Sequence, residues 1–470
     1  MEHKPQAPRM AGWLLLLTLA LGYVCAFVFF QTRWNAARDI MPAYALFWGL
    51  YLVTYYLCLW QRAKAKWEGW YLLTSVALLF LHSAFYREET LNLLNFLIIP
   101  LVLMLHAVMS SFDFSSGAAW LWVRSYLLCW CLYPFSAIGK WFAAWVALLR
   151  RGEAGDGEEG DALAARRNIL LGLLLGLPVL ILVCTLLLEA DQAMGMALSG
   201  LLEKLPQISF GKIILMFIIA VLFYSFIYNF AWGEEGGTLP TLSKEGMKAT
   251  LPAQSLMAAV SMLLAAYLVF AIFQFTYLTG WTGLPAGLTY SEYAVSGFGQ
   301  LLWVAAINLG VFSVGLCRTR PHKGLKPLLG LLLLATAVVL LSAFVRLGLY
   351  IGAYALTWRR LLSLWLMLYL AAIVILCALR LYGRGPLGKP GLLRLCALLL
   401  VGWYVALNLV NVEGLIAQSV FALADRRGGV LTQADANYLR YDLSIDAKSA
   451  IEASPYQAEV YYDVEPADLP

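Results

Sequence analysis

Apolar runs of roughly 17–25 residues, each long enough to cross a hydrocarbon core as a helix, recur along almost the whole chain between short polar loops. They predict spans at about 11–30, 41–60, 68–83, 92–109, 168–188, 212–231, 254–277, 298–317, 327–346, 361–380 and 391–410. Polar character returns for good only near residue 412. The fold class expected is therefore all-α: a polytopic transmembrane helical bundle of about eleven spans over 1–410, with a small extracytoplasmic helical tail over 411–470. Within the first part, 111–167 breaks the rhythm. Residues 119–149 are apolar and rich in tryptophan, but Arg124, Pro134 and Lys140 interrupt them. Interfacial helices fit this better than a clean span, because tryptophan and long basic side chains favour headgroup depth; a full span is the alternative. The charged stretch RRGEAGDGEEGDALAARR (150–167) reads as a solvated cytoplasmic loop. Segment 188–207, apolar at helical spacing but carrying four charges, is expected at the outer surface.

The tail carries its own punctuation. A helix can start at Asn411, Gly428-Gly429 breaks it, Thr432-x-x-Asp435 resembles a capping box with Asp in place of Glu, and Ser444 is placed to cap a further short helix. The end, EVYYDVEPADLP, is acidic and is expected to fray.

Composition supports the membrane reading. At 62% hydrophobic, 13% charged and a mean hydropathy of +0.75, the chain is too apolar for a soluble globule. The net charge of +5 comes mainly from loop lysines and arginines. It reads as topology information rather than a nucleic-acid surface. Lys4 and Arg9, Arg62 to Lys66, Lys244 and Lys248, Arg318 to Lys326, and Arg380 to Lys389 fall on one side, while 278–297 has no lysine or arginine. The first apolar run is thus a signal anchor, with the N-terminus cytoplasmic and the C-terminus extracytoplasmic. All eight cysteines lie in or beside apolar runs and read as small buried hydrophobes. No disulfide framework, metal site or cofactor is indicated.

The strongest candidate chemistry is on the stretch AFVRLGLYIGAYALTWRR (343–360). Arg346, Tyr350 and Tyr354 follow one another at four-residue spacing on a single helical face. An arginine and two phenols on a membrane helix should face protein or water. The loop PAGLTYSEYAVSGF (285–298) supplies Tyr290, Glu292 and Tyr293, and Glu292 is expected to pair with Arg346 in an outer-face polar cluster. The plainer reading is that such a pair pins a loop to the bundle and binds nothing. Asp191 is a second candidate at an expected span end. Asn229 and Asn308 read as interhelical hydrogen bonds, and His82 and His106 as lying too near opposite faces to share a metal. Metalloprotease, nucleophile-elbow, P-loop and kinase motifs are missing, so no catalytic residue is assigned.

Several of these stretches resemble a large group of uncharacterised bacterial membrane proteins, those with domain of unknown function 4173 and its relative 4153. They are LPVLILVCTLLLEAD (177–191), GLTYSEYAVSGFGQLLWVAAINL (287–309), RLGLYIGAYALTWRRL (346–361), and NVEGLIA with DANYLRYDLSIDAKSAI (411–451). The chain departs from that pattern at Val295-Ser296, where members carry a charge, and at Gln418 to Phe421. The resemblance implies fold and location and carries no activity. Together these readings point to a non-enzymatic sensor, scaffold or regulator of the cell envelope, with the lipid bilayer and an envelope protein or small ligand as partners. A transporter or lipid-handling protein with a site near the outer face is the alternative.

Overall fold

The computed structural model describes residues 7–28, 37–59, 66–112, 119–150, 210–233, 251–278, 298–320, 322–383 and 391–462. Among the described residues every regular element is helical, apart from an isolated bridge between Leu251 and Thr319. The expected span at 168–188, Asp191, and the loop residues Tyr290, Glu292 and Tyr293 lie outside them. Seven of the described helices are long and apolar enough to cross a membrane: Asp39–Leu59, Glu89–Ser111, Gly211–Trp232, Ala253–Ile272, Gly299–Leu316, Leu325–Tyr354 and Trp358–Leu381. An eighth arises if Leu392–Asn408 and Val412–Arg426, bent by 65° at their joint, count as one span. Two expected spans fall short for physical reasons. Gly12–Phe27 is apolar but short, and Trp67–Phe85 is diluted by Glu68, Ser75, His82 and Ser83, all four of which are buried.

Contacts divide the chain into two compact units. The first comprises the described parts of Met1–Trp70, Phe96–Phe112 and Val123–Leu242. It contains α1 (Ala7–Tyr23, continued by a π turn Val24–Val28), α2 (Ala37–Leu59) and the second half of α4 (Glu89–Ser111). It also holds α5 (Ala119–Cys131), α6 (Tyr133–Ser136), α7 (Ile138–Arg150) and α8 (Phe210–Trp232). Helices α1 and α8 meet at Gly22, where a Cβ would run into the carbonyl of Met216, so only glycine lets the two backbones touch. Pro100 sits inside α4 and leaves the carbonyl of Phe96 without its helical donor. The Tyr44 hydroxyl supplies one at 2.7 Å, with the Tyr44 and Phe96 rings stacked. A second proline, Pro134, marks the break between α5 and α7. There the Ser225 hydroxyl donates to Tyr133 O (2.8 Å) and accepts from Ala137 N (2.9 Å). Asn229 Nδ2 donates to Tyr133 O and to Ser136 Oγ, both at 2.8 Å. Asn229 is thus the interhelical hydrogen bond its position in an apolar run suggests.

The second unit comprises the described parts of Tyr71–Asn95, Asp113–Trp122 and Ser243–Pro470. It holds most of α3 (Trp67–Phe85), the start of α4, and α9 (Ala253–Leu278), α10 (Phe298–Arg318) and α11 (Leu325–Tyr354). These are followed by α12 (Trp358–Leu381), α13 (Leu392–Asn408) and α14 (Val412–Arg426). Asn308 ties three helices together, accepting from Tyr267 Oη of α9 at 2.5 Å and donating to Thr336 Oγ of α11 at 3.0 Å. Between α12 and α13, Trp365 and Trp403 each donate an indole N–H to the other's carbonyl, at 3.1 and 3.0 Å.

Tail punctuation follows the side-chain chemistry. Asn411 caps α14 through Gly414 N, and Gly428 and Gly429 take φ of +82° and +83°. Thr432 caps α15 (Gln433–Asn437) through Asp435 N, and Ser444 caps the 3₁₀ turn Ile445–Ala447 through Asp446 N. The helices α16 (Lys448–Glu452) and α17 (Gln457–Tyr462) close the described chain. Of the acidic end expected to fray, residues 463–470 lie outside the described ones, and Glu459 to Tyr462 belong to α17. Val460 is fully buried, in a core that runs from Val412, Ile416, Val420 and Phe421 through Leu439, Ile451 and Tyr456. That core is continuous with Leu91 of α4 and with Ala355 and Leu361 around the α11–α12 joint, so burial outweighs the surface charge.

Candidate functional site

Arg346, Tyr350 and Tyr354 all lie on α11, and Arg346 is buried. Both tyrosine rings meet a cation from the next helix. Arg360 of α12 places its guanidinium 4.0 Å from the Tyr350 ring centre and 5.8 Å from that of Tyr354. It also donates to the carbonyls of Tyr354 (2.6 Å) and Ala355. These are the last carbonyls of α11, which a helix leaves without internal donors. The chain reverses here through Ala355, the one non-glycine described residue with positive φ (+59°). The tail supplies what the reversal leaves open: Ser419 Oγ accepts Leu356 N at 2.7 Å, Tyr438 Oη accepts Trp358 N at 3.4 Å, and Arg427 donates to Ala353 O at 3.1 Å.

A second polar group in the same unit involves residues the sequence reading did not bring together. His82 ends α3, Glu88 precedes α4, Asn92 and Asn95 lie in its first turns, and Tyr404 and Asn408 end α13. Apart from Tyr404, all are buried, Glu88 to 2% exposure. His82 Nδ1 meets Asn408 O at 2.7 Å, and its Nε2 lies 3.3 Å from Glu88 Oε1. Asn95 Nδ2 donates to Asn408 Oδ1 (2.8 Å), Tyr404 Oη donates to Asn95 Oδ1 (2.7 Å), and Asn408 Nδ2 donates to Tyr404 O (3.0 Å). Asn92 Nδ2 donates to Glu88 O at 2.6 Å, whereas its Oδ1 is buried with no hydrogen-bond partner.

The tail closes over this group. Asp446 Oδ2 accepts the backbone N–H groups of Arg87 (2.5 Å) and Glu88 (2.9 Å) at the start of α4, where free donors and the helix dipole favour a carboxylate. Asn411 Nδ2 donates to Asp446 O at 2.9 Å. Glu413, also buried, accepts from Ser444 N (2.7 Å) and Ser444 Oγ (2.5 Å). Burial raises the Glu88 carboxyl above its ordinary range; His82 opposes this, and the nearby Glu413 and Asp446 add to it. One imidazole thus faces Glu88 in a region that holds three carboxylates. No group of three or more His, Cys, Asp or Glu that could hold a metal ion occurs among the described residues. His106 is engaged elsewhere, with Tyr56 Oη at 2.8 Å.

The signal for this seam was present as asparagines and a histidine at the ends of apolar runs. It was not legible as a group, because its members come from positions 82–95, 404–413 and 444–446.

Comparison with curated proteins gives no match, and comparison with solved structures gives none. One family model, described as a domain of unknown function (DUF4153), matches residues 71–454. That match covers more than half of the chain and includes every residue of the seam. The chain therefore belongs to the family of domain of unknown function 4153.

Proposed function

We propose that this is a non-enzymatic multi-pass protein of the bacterial cytoplasmic membrane that acts as a sensor, scaffold or regulator of the cell envelope. Its working part is the tail, 411–470, on the extracytoplasmic side, with the N-terminus in the cytoplasm. One observation carries the reading: Asp446 holds the tail on the backbone of the α3–α4 turn, over a buried pair of His82 and Glu88. A module whose Asp446 carboxylate caps that turn, above a buried histidine and carboxylate, is suited to docking and release. The basic loops on one side support the orientation. The count of about eleven spans adds α1, α3, α13 and the apolar run at 168–188 to the seven long helices. Tyr126 donates to Leu101 O, midway along α4. Residues 119–150 are accordingly read as a broken segment dipping into the membrane rather than helices lying flat on it.

Crosslinking in whole cells, with wild type beside Asp446→Ala, tests this. The reading expects an envelope protein recovered with wild type whose yield changes severalfold once the tail is loosened. A bound small molecule in place of any protein, lost in Asp446→Ala, would instead favour a transporter or lipid-handling protein.

A further inference from the structure

The first unit holds a cavity of about 170 Å³ between α2, α4, α5, α6 and α8. Trp48, Tyr51, Met104 and Phe223 are among its walls, and both helix-interrupting prolines, Pro100 and Pro134, line it. No polar atom contributes to its surface. The carbonyl that Pro100 frees is satisfied away from it, by Tyr44 on Phe96 O, and beside Pro134 the Tyr133 carbonyl is held by Ser225 and Asn229.

Its depth narrows the occupant. Trp48 and Pro100 are the central residues of 23-residue helices, and Leu222, another wall residue, is one residue from the centre of a third. A span of that length crosses about 30 Å of hydrocarbon, so the cavity sits near the bilayer midplane, where acyl chains end. The surface around it is apolar and exposed. Leu101, next to Pro100, is 46% exposed, Leu46 and Val53 of α2 are exposed, and the wall residue Trp130 reaches that surface at 36%. Water is disfavoured, since an apolar cavity of about 150 Å³ stays dry and takes a six-carbon ring.

We propose that this cavity binds the terminal stretch, about six carbons, of a phospholipid acyl chain. The site selects by depth and by apolar shape, not by headgroup. It is independent of the role given to the tail.

The test reconstitutes the full chain in bilayers doped with either of two photoreactive phospholipids, one with a diazirine at the chain end and one with a diazirine near the carbonyl. Crosslinks are then mapped by residue. The terminal probe should label Met104, Leu222 and Phe223 roughly fivefold more than Leu101, which lies at the same depth but faces bulk lipid; that ratio corresponds to about 1 kcal/mol of preference. The carbonyl-side probe should not label the cavity residues. Met104→Trp, which fills the space, should abolish the excess while leaving Leu101 labelled as before. Equal labelling of cavity residues and Leu101 in wild type would mean annular lipid only and would overturn the proposal, whether or not Met104→Trp folds.

Discussion

Truncating Asp446 to alanine should loosen the tail without disturbing the helices beneath it. The carboxylate accepts two backbone N–H groups at the start of α4. After Asp446→Ala the Arg87 N–H can turn to water, because that end of the contact is exposed, whereas the Glu88 N–H is left partly covered. A hydrogen bond to a charged acceptor contributes ~1.5–3 kcal/mol, but only where water cannot replace it. Loss of a capping acceptor at a partly wet helix start costs ~0.5–2 kcal/mol, and this lower range governs here. A loss of about 1–2 kcal/mol raises the population of the undocked tail roughly 5- to 30-fold. Hydrogen exchange with mass spectrometry reads this directly. Amides between Gln433 and Tyr462 should exchange faster by that factor, while those in α11 and α12 keep their rates. Asp446→Asn keeps an acceptor and loses only charge, so its effect should be smaller. Unchanged exchange across 433–462 in Asp446→Ala, or an increase spread evenly over the chain, would refute the reasoning.

Three further outcomes are expected. Burial raises Glu88, so the folded state holds its proton more tightly than the unfolded state. Its favourable contribution is complete below the ordinary carboxylate range and is lost as pH rises from that range through the raised folded value. As pH rises above the ordinary carboxylate range, thermal stability should therefore fall less steeply in Glu88→Gln than in wild type, and an identical slope would show that Glu88 is not the group titrating. Gly402 leaves room for the Tyr71 hydroxyl to donate to Leu398 O at 2.9 Å, and a Cβ there would collide with that hydroxyl. Gly402→Ala should thus destabilise wild type by about 1–2 kcal/mol but cost little in a Tyr71→Phe background; additive effects in a double-mutant cycle would rule out the contact. Gly22→Val should separate α1 from α8, because the atom it meets is the Met216 backbone rather than a movable side chain. A melting temperature lowered by several degrees is expected, and no change would contradict the close approach.

Local chemistry made much of the fold legible from the sequence. Spans declare themselves by apolar length, and the caps at Asn411, Thr432 and Ser444 and the break at Gly428-Gly429 rest on side-chain groups within a few residues. Asn229 and Asn308 were readable for the same reason: a polar group in an apolar helix must find a partner. What depended on distant chain segments was not readable. Four-residue spacing places Arg346, Tyr350 and Tyr354 along α11, but it could not show that the reversal at Ala355 brings Arg360 over the two tyrosines. Near the tail end, Val460 shares a core with Leu439, more than twenty positions earlier, a contact no local pattern shows. Trp67–Phe85 looked like a simple span, while its polar residues are buried and lead into the seam.

The account depends most on the tail being a docked module on the outside of the cell. Impermeant maleimide labelling in intact cells, with the native cysteines replaced, tests both parts at once through two sites two residues apart. Tyr441 is 72% exposed and Leu439 only 2%. Tyr441→Cys should label quickly in intact cells, and Leu439→Cys slowly until Asp446→Ala is added. Labelling of both sites only after the membrane is permeabilised, or at equal rates from the outset, would contradict the account.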